Sequence, residues 1–160
     1  MRDMIFLSVV GKRHLMMILL LIVLSIFYGR ATAGIEFLSI SDEAIILYDA
    51  PSLKAEKLYV VSRHLPVEAV VNTTYWVKIL DHSGSMAWVE KKALSKQRYV
   101  IVIVPLADIY QDANKNATRV FQAQEQVVLE WIETTDTGWV KIRHRDGQTG
   151  YISVTQVWGS

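Results

Sequence analysis

Short runs of four to seven residues rich in Val, Ile, Tyr and Trp recur from about residue 35 to the end of the chain. In most of them apolar and polar positions alternate, and turn residues separate them, the signature of half-buried strands. No stretch of this region sustains a 3.6-residue apolar period, so helices are not expected there. The pattern predicts strands near 35–39, 45–48, 57–62, 66–72, 76–80 and 86–89. A second series follows near 99–104, 108–110, 119–123, 127–133, 139–143 and 149–152. His82-Ser83-Gly84 and Arg145-Asp146-Gly147 read as hairpin turns in which glycine supplies a positive φ. Residues 91–94 and 154–157 read as single helical turns closing each series. One run breaks the alternation: Tyr99-Val100-Ile101-Val102-Ile103-Val104 is apolar on both faces, which predicts a strand covered on both sides. The first series is the expected cover; a partner protein or a second copy is the alternative.

The two series are one unit written twice. Tyr75-Trp76-Val77-Lys78-Ile79 returns 63 residues later as Gly138-Trp139-Val140-Lys141-Ile142. Ala87-Trp88-Val89 returns at the same displacement as Gly150-Tyr151-Ile152, whereas Ile46-Leu47-Tyr48 returns after 62 residues as Asp108-Ile109-Tyr110. The extra residue falls in the turn after Asn72, which is longer after Thr134. Two all-β units are expected, at 34–96 and 97–160, joined near Ser95-Lys96-Gln97-Arg98. A five- or six-stranded unit of this size buries a core only by curling into a small barrel.

Composition changes the picture at the N-terminus. Lys12-Arg13-His14 precedes an apolar run from Leu15 to Phe27, and Gly29-Arg30-Ala31-Thr32-Ala33 follows. This is the layout of a signal peptide over 1–33, cut after Ala33, and predicts a periplasmic or secreted protein. Thirteen apolar residues fall short of the roughly 20 that cross a bilayer, so no stable membrane span is expected after cleavage. Four of the 17 basic residues and one of the 16 acids lie in 1–33, leaving 13 bases and 15 acids in the remainder. That near-neutral body argues against nucleic acid as a partner. The absence of cysteine excludes disulfides, thiol catalysis and thiolate metal sites. Asn72 and Asn116 begin Asn-x-Thr tripeptides, which matter only in a eukaryotic secretory route.

Aromatic-x-basic-apolar, a glycine turn, then Gly-aromatic-apolar and a terminal helical turn resembles the bacterial SH3-like (SH3b) domains of exported proteins. The residues that carry the likeness are Leu65-Pro66-Val67-Glu68-Ala69-Val70, Trp76-Val77-Lys78-Ile79, Ala87-Trp88-Val89 and Leu94. In the second unit they are Asp146-Gly147-Gln148-Thr149-Gly150-Tyr151-Ile152. The resemblance covers both units and implies two tandem SH3-like β-barrels behind the signal peptide. It departs at Ile45-Ile46-Leu47-Tyr48-Asp49-Ala50-Pro51, where the family usually reads Leu-Asn-Val-Arg-x-Gly-Pro, and the second unit lacks that proline. Ala87 stands where the family usually has glycine. The proline and tyrosine that line a polyproline groove in eukaryotic SH3 domains are missing after Ile152, so polyproline binding is not implied.

Strand parity sorts the candidate chemistry. In Trp76-Val77-Lys78-Ile79 an unpaired lysine cannot be buried cheaply, so Val77 and Ile79 face the core and Trp76 faces outward with Lys78. Trp139 and Lys141 follow the same logic. Trp88 and Tyr151 lie opposite in parity to their small and β-branched neighbours, and Tyr48 and Tyr110 begin the first long loop. The candidate ligand-binding residues are therefore Tyr48, Trp76, Lys78, Trp88, Tyr110, Trp139, Lys141 and Tyr151. Two readings of these aromatics stay open: a stacking floor for a ligand, or rings that seal a very small barrel or pack on its neighbour. His64, His82 and His144 have no helical i, i+4 partner, and His82 and His144 are expected to be solvated turn residues. Asp81 and Asp146 are expected to cap turn amides rather than act as catalytic carboxylates. Glu130 and Glu133 can neutralise the basic patch of Lys141, Arg143, His144 and Arg145. No catalytic residue, metal site or cofactor is expected. The resemblance implies a non-enzymatic module that binds peptidoglycan, its stem peptides or an envelope protein. The alternative is a structural adaptor that docks a partner through Tyr99 to Val104.

Overall fold

The computed structural model describes residues 34–160; the signal peptide expected over 1–33 lies outside the described residues. The strands are β1 Phe37–Ile40, β2 Ile45–Tyr48, β3 Lys57–Val61, β4 Pro66–Asn72, β5 Trp76–Leu80, β6 Met86–Glu90 and β7 Leu94–Ser95. The second series is β8 Tyr99–Val102, β9 Leu106–Tyr110, β10 Arg119–Gln124, β11 Val128–Thr134, β12 Trp139–Arg143, β13 Thr149–Ser153 and β14 Val157–Trp158. They form two antiparallel sheets of identical order, β3-β2-β6-β5-β4-β1-β7 and β10-β9-β13-β12-β11-β8-β14. The fold is all-β, two SH3-like units in tandem. Turns of 3-10 helix at Lys91–Ala93 and Val154–Gln156 close the units, where single helical turns were expected. The two-residue strands β7 and β14 were not foreseen.

Alternation does the sorting. Val77 and Ile79 are fully buried while Lys78 between them is half-exposed; Val140 and Ile142 repeat this around Lys141. Each sheet wraps its own core. Leu38, Ile40, Leu47, Val67, Ile79 and Val89 anchor the first, and Val100, Val102, Ile109, Leu129, Ile142 and Ile152 the second. The register also breaks at matching places, skipping Leu58 and Val70 in one sheet and Val120 and Ile132 in the other. Such bulges bend a strand, and here they curl both sheets alike. Gly84 and Gly147 have φ of 86° and 93°, as the hairpin turns required.

Gly150 is needed for a close approach. A Cβ there would fall on the Cγ2 methyl of Ile109 and 2.8 Å from the Tyr110 carbonyl oxygen. The first unit carries Ala87 at this place, and Leu47, which has no methyl branching from its Cβ, at the place of Ile109.

β8 ends at Val102, two residues earlier than expected, and Ile103 is 41% exposed. Val100 and Val102 enter the second core, whereas Ile101, 3% exposed, belongs to neither core. Its face meets the first unit. Tyr99 stacks on His64 with ring centroids 4.3 Å apart and planes 11° apart, and Trp158, paired with Ile101, meets Phe37 edge-on at 5.1 Å. Arg98 is half-buried, its guanidinium 4.1 Å from the Trp131 ring and 5.6 Å from Phe37, and it donates to the Gly159 carbonyl at 2.8 Å. Burial pushes its pKa down from the ordinary guanidinium value, though arginine stays charged in proteins. Its Nε–H has no partner. Ser39 Oγ donates to the Gln97 carbonyl at 2.6 Å across the same junction. Arg98, read as part of a linker, is thus packed, while Lys96 and Gln97 are exposed, and the outer face of β8 is covered by the first unit, the cover expected ahead of an outside partner.

Candidate functional site

Cross-strand register brings the candidate residues together on the outer face of each sheet. In the first unit Tyr48 pairs with Trp88, and Trp88 with Lys78. Lys57 on β3 extends this row beyond Tyr48, and Val71 on β4 extends it beyond Lys78. The second unit builds the same row as Arg119, Tyr110, Tyr151, Lys141 and Glu133. Two residues along β5 from Lys78, Trp76 meets the Tyr48 ring edge-on at 5.5 Å and 88°. Trp139 meets Tyr110 in the same way, at 5.8 Å and 88°. Such edge-to-face pairs hold both rings in place. None of the eight candidates belongs to the two core clusters.

Outward parity does not mean free exposure. Trp139 is only 9% exposed and Tyr48 7%, so the expectation that Trp139 lies open is corrected: it is buried, with the Tyr110 ring edge-on against it. Trp76, Trp88, Tyr110 and Tyr151 are half-exposed. Lys141 Nζ lies 5.8 Å from the Tyr151 ring centre, a distance at which the cation meets the ring's negative face.

A cleft opens beside each tyrosine. The first, about 410 Å³, is lined by Asp42, Ile46, Tyr48, Glu90 and Lys92. The second, about 250 Å³, is lined by Asp108, Tyr110, Lys115, Trp139, Ser153 and Thr155. Ile46 and Asp108, Glu90 and Ser153, and Lys92 and Thr155 are equivalent in the repeat. The first cleft is rimmed by two carboxylates and an ammonium, the second by one carboxylate, one ammonium and the hydroxyls of Tyr110, Ser153 and Thr155. Asp108 titrates below the ordinary carboxylate range because Gln122 donates to it at 2.8 Å, with Arg119 at 3.2 Å and Tyr110 adding to the effect.

The remaining polar groups have structural work. Asp81 accepts from the backbone N–H of Ser83 at 2.8 Å and of Ser85 at 3.0 Å, so it caps its turn. Asp146 does the same for Gln148 at 2.9 Å and also meets His144 Nδ1 at 3.0 Å. His144 is therefore partnered, and His82 holds a buried Nδ1 without one; neither is the freely solvated residue expected. Arg143 pairs with Glu130 at 3.2 Å and Lys141 with Glu133 at 3.7 Å, which neutralises the basic patch as foreseen. Among the described residues no group of three His, Asp or Glu side chains could hold a metal ion, and no helix is long and apolar enough to cross a membrane. Lys57 and Arg119 were missed as row members. Their equivalence at a displacement of 62 was the available signal, but neither sits in a motif.

Comparison with known proteins followed the repeat. The family described as bacterial SH3 domain matches twice, at residues 41–96 and 104–159. No curated protein matches the chain. Among solved structures, NlpC2 from Trichomonas vaginalis is similar at 14% identity and a TM-score of 0.38, over 81% of this chain and 50% of that one. NlpC1 from the same organism is similar at 14% identity and a TM-score of 0.37, over 82% and 48%. An NlpC/P60 family protein from Bacillus cereus ATCC 10987 shares 16% identity with a TM-score of 0.33, over 76% and 55%. The chain spans about half the length of these structures.

Proposed function

Because the chain belongs to the bacterial SH3 domain family through both of its units, we propose that it is an exported, non-catalytic binding module for the peptide part of peptidoglycan. The observation that carries this reading is the duplicated pair of rings, Tyr48 with Trp76 and Tyr110 with Trp139, each held edge-to-face outside the core beside a cleft. Fixed rings lose little conformational entropy when a ligand stacks on them, which favours binding.

The test is co-sedimentation with insoluble peptidoglycan, run beside thermal melts. Trp76→Ala should weaken binding about five- to hundredfold, the range of an aromatic hot spot, while the protein stays folded. Unchanged sedimentation with an unchanged melt would remove this ring from the ligand site. Loss of binding together with a stability loss of about 3–5 kcal/mol would instead mark it as a packing residue.

A further inference from the structure

Each row has two cations, Lys57 and Lys78 in the first and Arg119 and Lys141 in the second, but they are compensated differently. In the second unit Arg119 meets Asp108 at 3.2 Å and Lys141 meets Glu133 at 3.7 Å. The first unit has Ile46 and Val71 at the positions of those two acids. Among the described residues neither Lys57 nor Lys78 has a carboxylate within the 4.0 Å limit of an ion pair. The nearby acids are otherwise engaged or placed. Asp49 accepts the Glu56 backbone N–H at 2.9 Å within its own loop. Glu90 is held by Lys92 at 3.0 Å, and with Asp42 it lines the cleft beside Tyr48.

We propose that the first unit, and not the second, binds a peptide through its carboxylates, with Lys57 and Lys78 at the two ends of the Tyr48–Trp88 surface. This rests on the peptide-binding reading above and assigns its charge and its place. The physical reason is competition. A carboxylate reaching Lys141 must displace Glu133, so it exchanges one ion pair for another; at Lys78 it meets an uncompensated charge. Lys57 and Lys78 stand three strand spacings apart, about 14 Å, which an extended peptide of about four residues covers. Between them the half-exposed Trp88 ring supplies an apolar face for the intervening chain, and the buried Tyr48 supports the surface. In the second unit the same surface suits a neutral segment.

The five tryptophans give the protein five indole N–H signals, and those of Trp88 and Trp139 report on the two units separately. Three probes are titrated into the full chain: a soluble peptidoglycan stem peptide, the same peptide with every carboxyl amidated, and an unrelated acidic pentapeptide, acetyl-Glu-Ala-Phe-Ala-Glu. Both acidic probes should shift Trp88 and leave Trp139 in place, and rising salt should weaken the effect. Amidation, or Lys57→Gln with Lys78→Gln, should weaken binding about fivefold or more. Asp108→Asn with Glu133→Gln should bring Trp139 into the response. The proposal is overturned if the amidated peptide binds as tightly as the free acid, if shifts centre on Trp139 in the unaltered protein, or if neither acidic probe moves Trp88. Equal binding of the amidated stem peptide leaves the cell-wall reading standing. Response to the pentapeptide without response to the stem peptide does the reverse.

Discussion

Gly150 and Ala87 occupy equivalent places, yet only one of them accepts a Cβ. The Tyr110 carbonyl 2.8 Å from the Cβ position is backbone and cannot rotate aside. Gly150→Ala should therefore destabilise by about 1–3 kcal/mol through overpacking, despite alanine's lower backbone entropy in the unfolded state. Ala87→Gly should cost about 1 kcal/mol, from the lost methyl and the added freedom. Denaturant melts of both variants check this, and equal small effects would contradict the asymmetry. Acid titration gives a second residue-scale expectation. The Gln148 backbone N–H and then His144 hold the Asp146 carboxyl below its ordinary value of 3.8. Its contribution to stability is thus present above about pH 3.8 and is lost as pH falls through the lower folded value. Carbon-13 detection of the Asp146 carboxyl should show a midpoint below 3.8; a higher one would mean that the turn does not favour the charged form. At this scale the sequence was informative wherever a residue's role is local. Turn glycines, capping aspartates and inward valines follow from neighbours in the chain, whereas the edge-on contact of Trp139 is with a tyrosine from another strand.

Strands of four or more residues announce themselves because two periods of alternation suffice to distinguish inside from outside. β7 and β14 contain two residues each, too few to carry any period, and their pairing with β1 and β8 is visible only in three dimensions. β14 is nevertheless consequential: Val157 enters the second core and Trp158 lies against Phe37. Truncation after Gln156 should lower the melting temperature and leave the edge of β8 free to pair with other chains. Light scattering beside a melt would reveal both, and an unaltered melt would show that β14 is dispensable. The aromatic–cation row was legible in part for the same reason that β14 was not. Parity within β5 and β6 places Trp76, Lys78 and Trp88 outward, but Lys57 joins them only through the register break at Leu58, which no local pattern foretells.

Arg98 sits at the junction of the two units. It reads as part of a polar linker, yet it lies between Phe37 of one unit and Trp131 of the other and holds the Gly159 carbonyl. Both units should consequently unfold in one calorimetric transition, and Arg98→Ala should separate it into two or broaden it visibly. Two independent transitions in the unaltered protein would show that the junction does not couple them. Should the first unit hold a charged segment of a wall polymer, as proposed, and the second a neutral one, the packed junction leaves no slack chain to average over their spacing. The second contact would then gain its effective concentration only where the two segments recur at a matching interval.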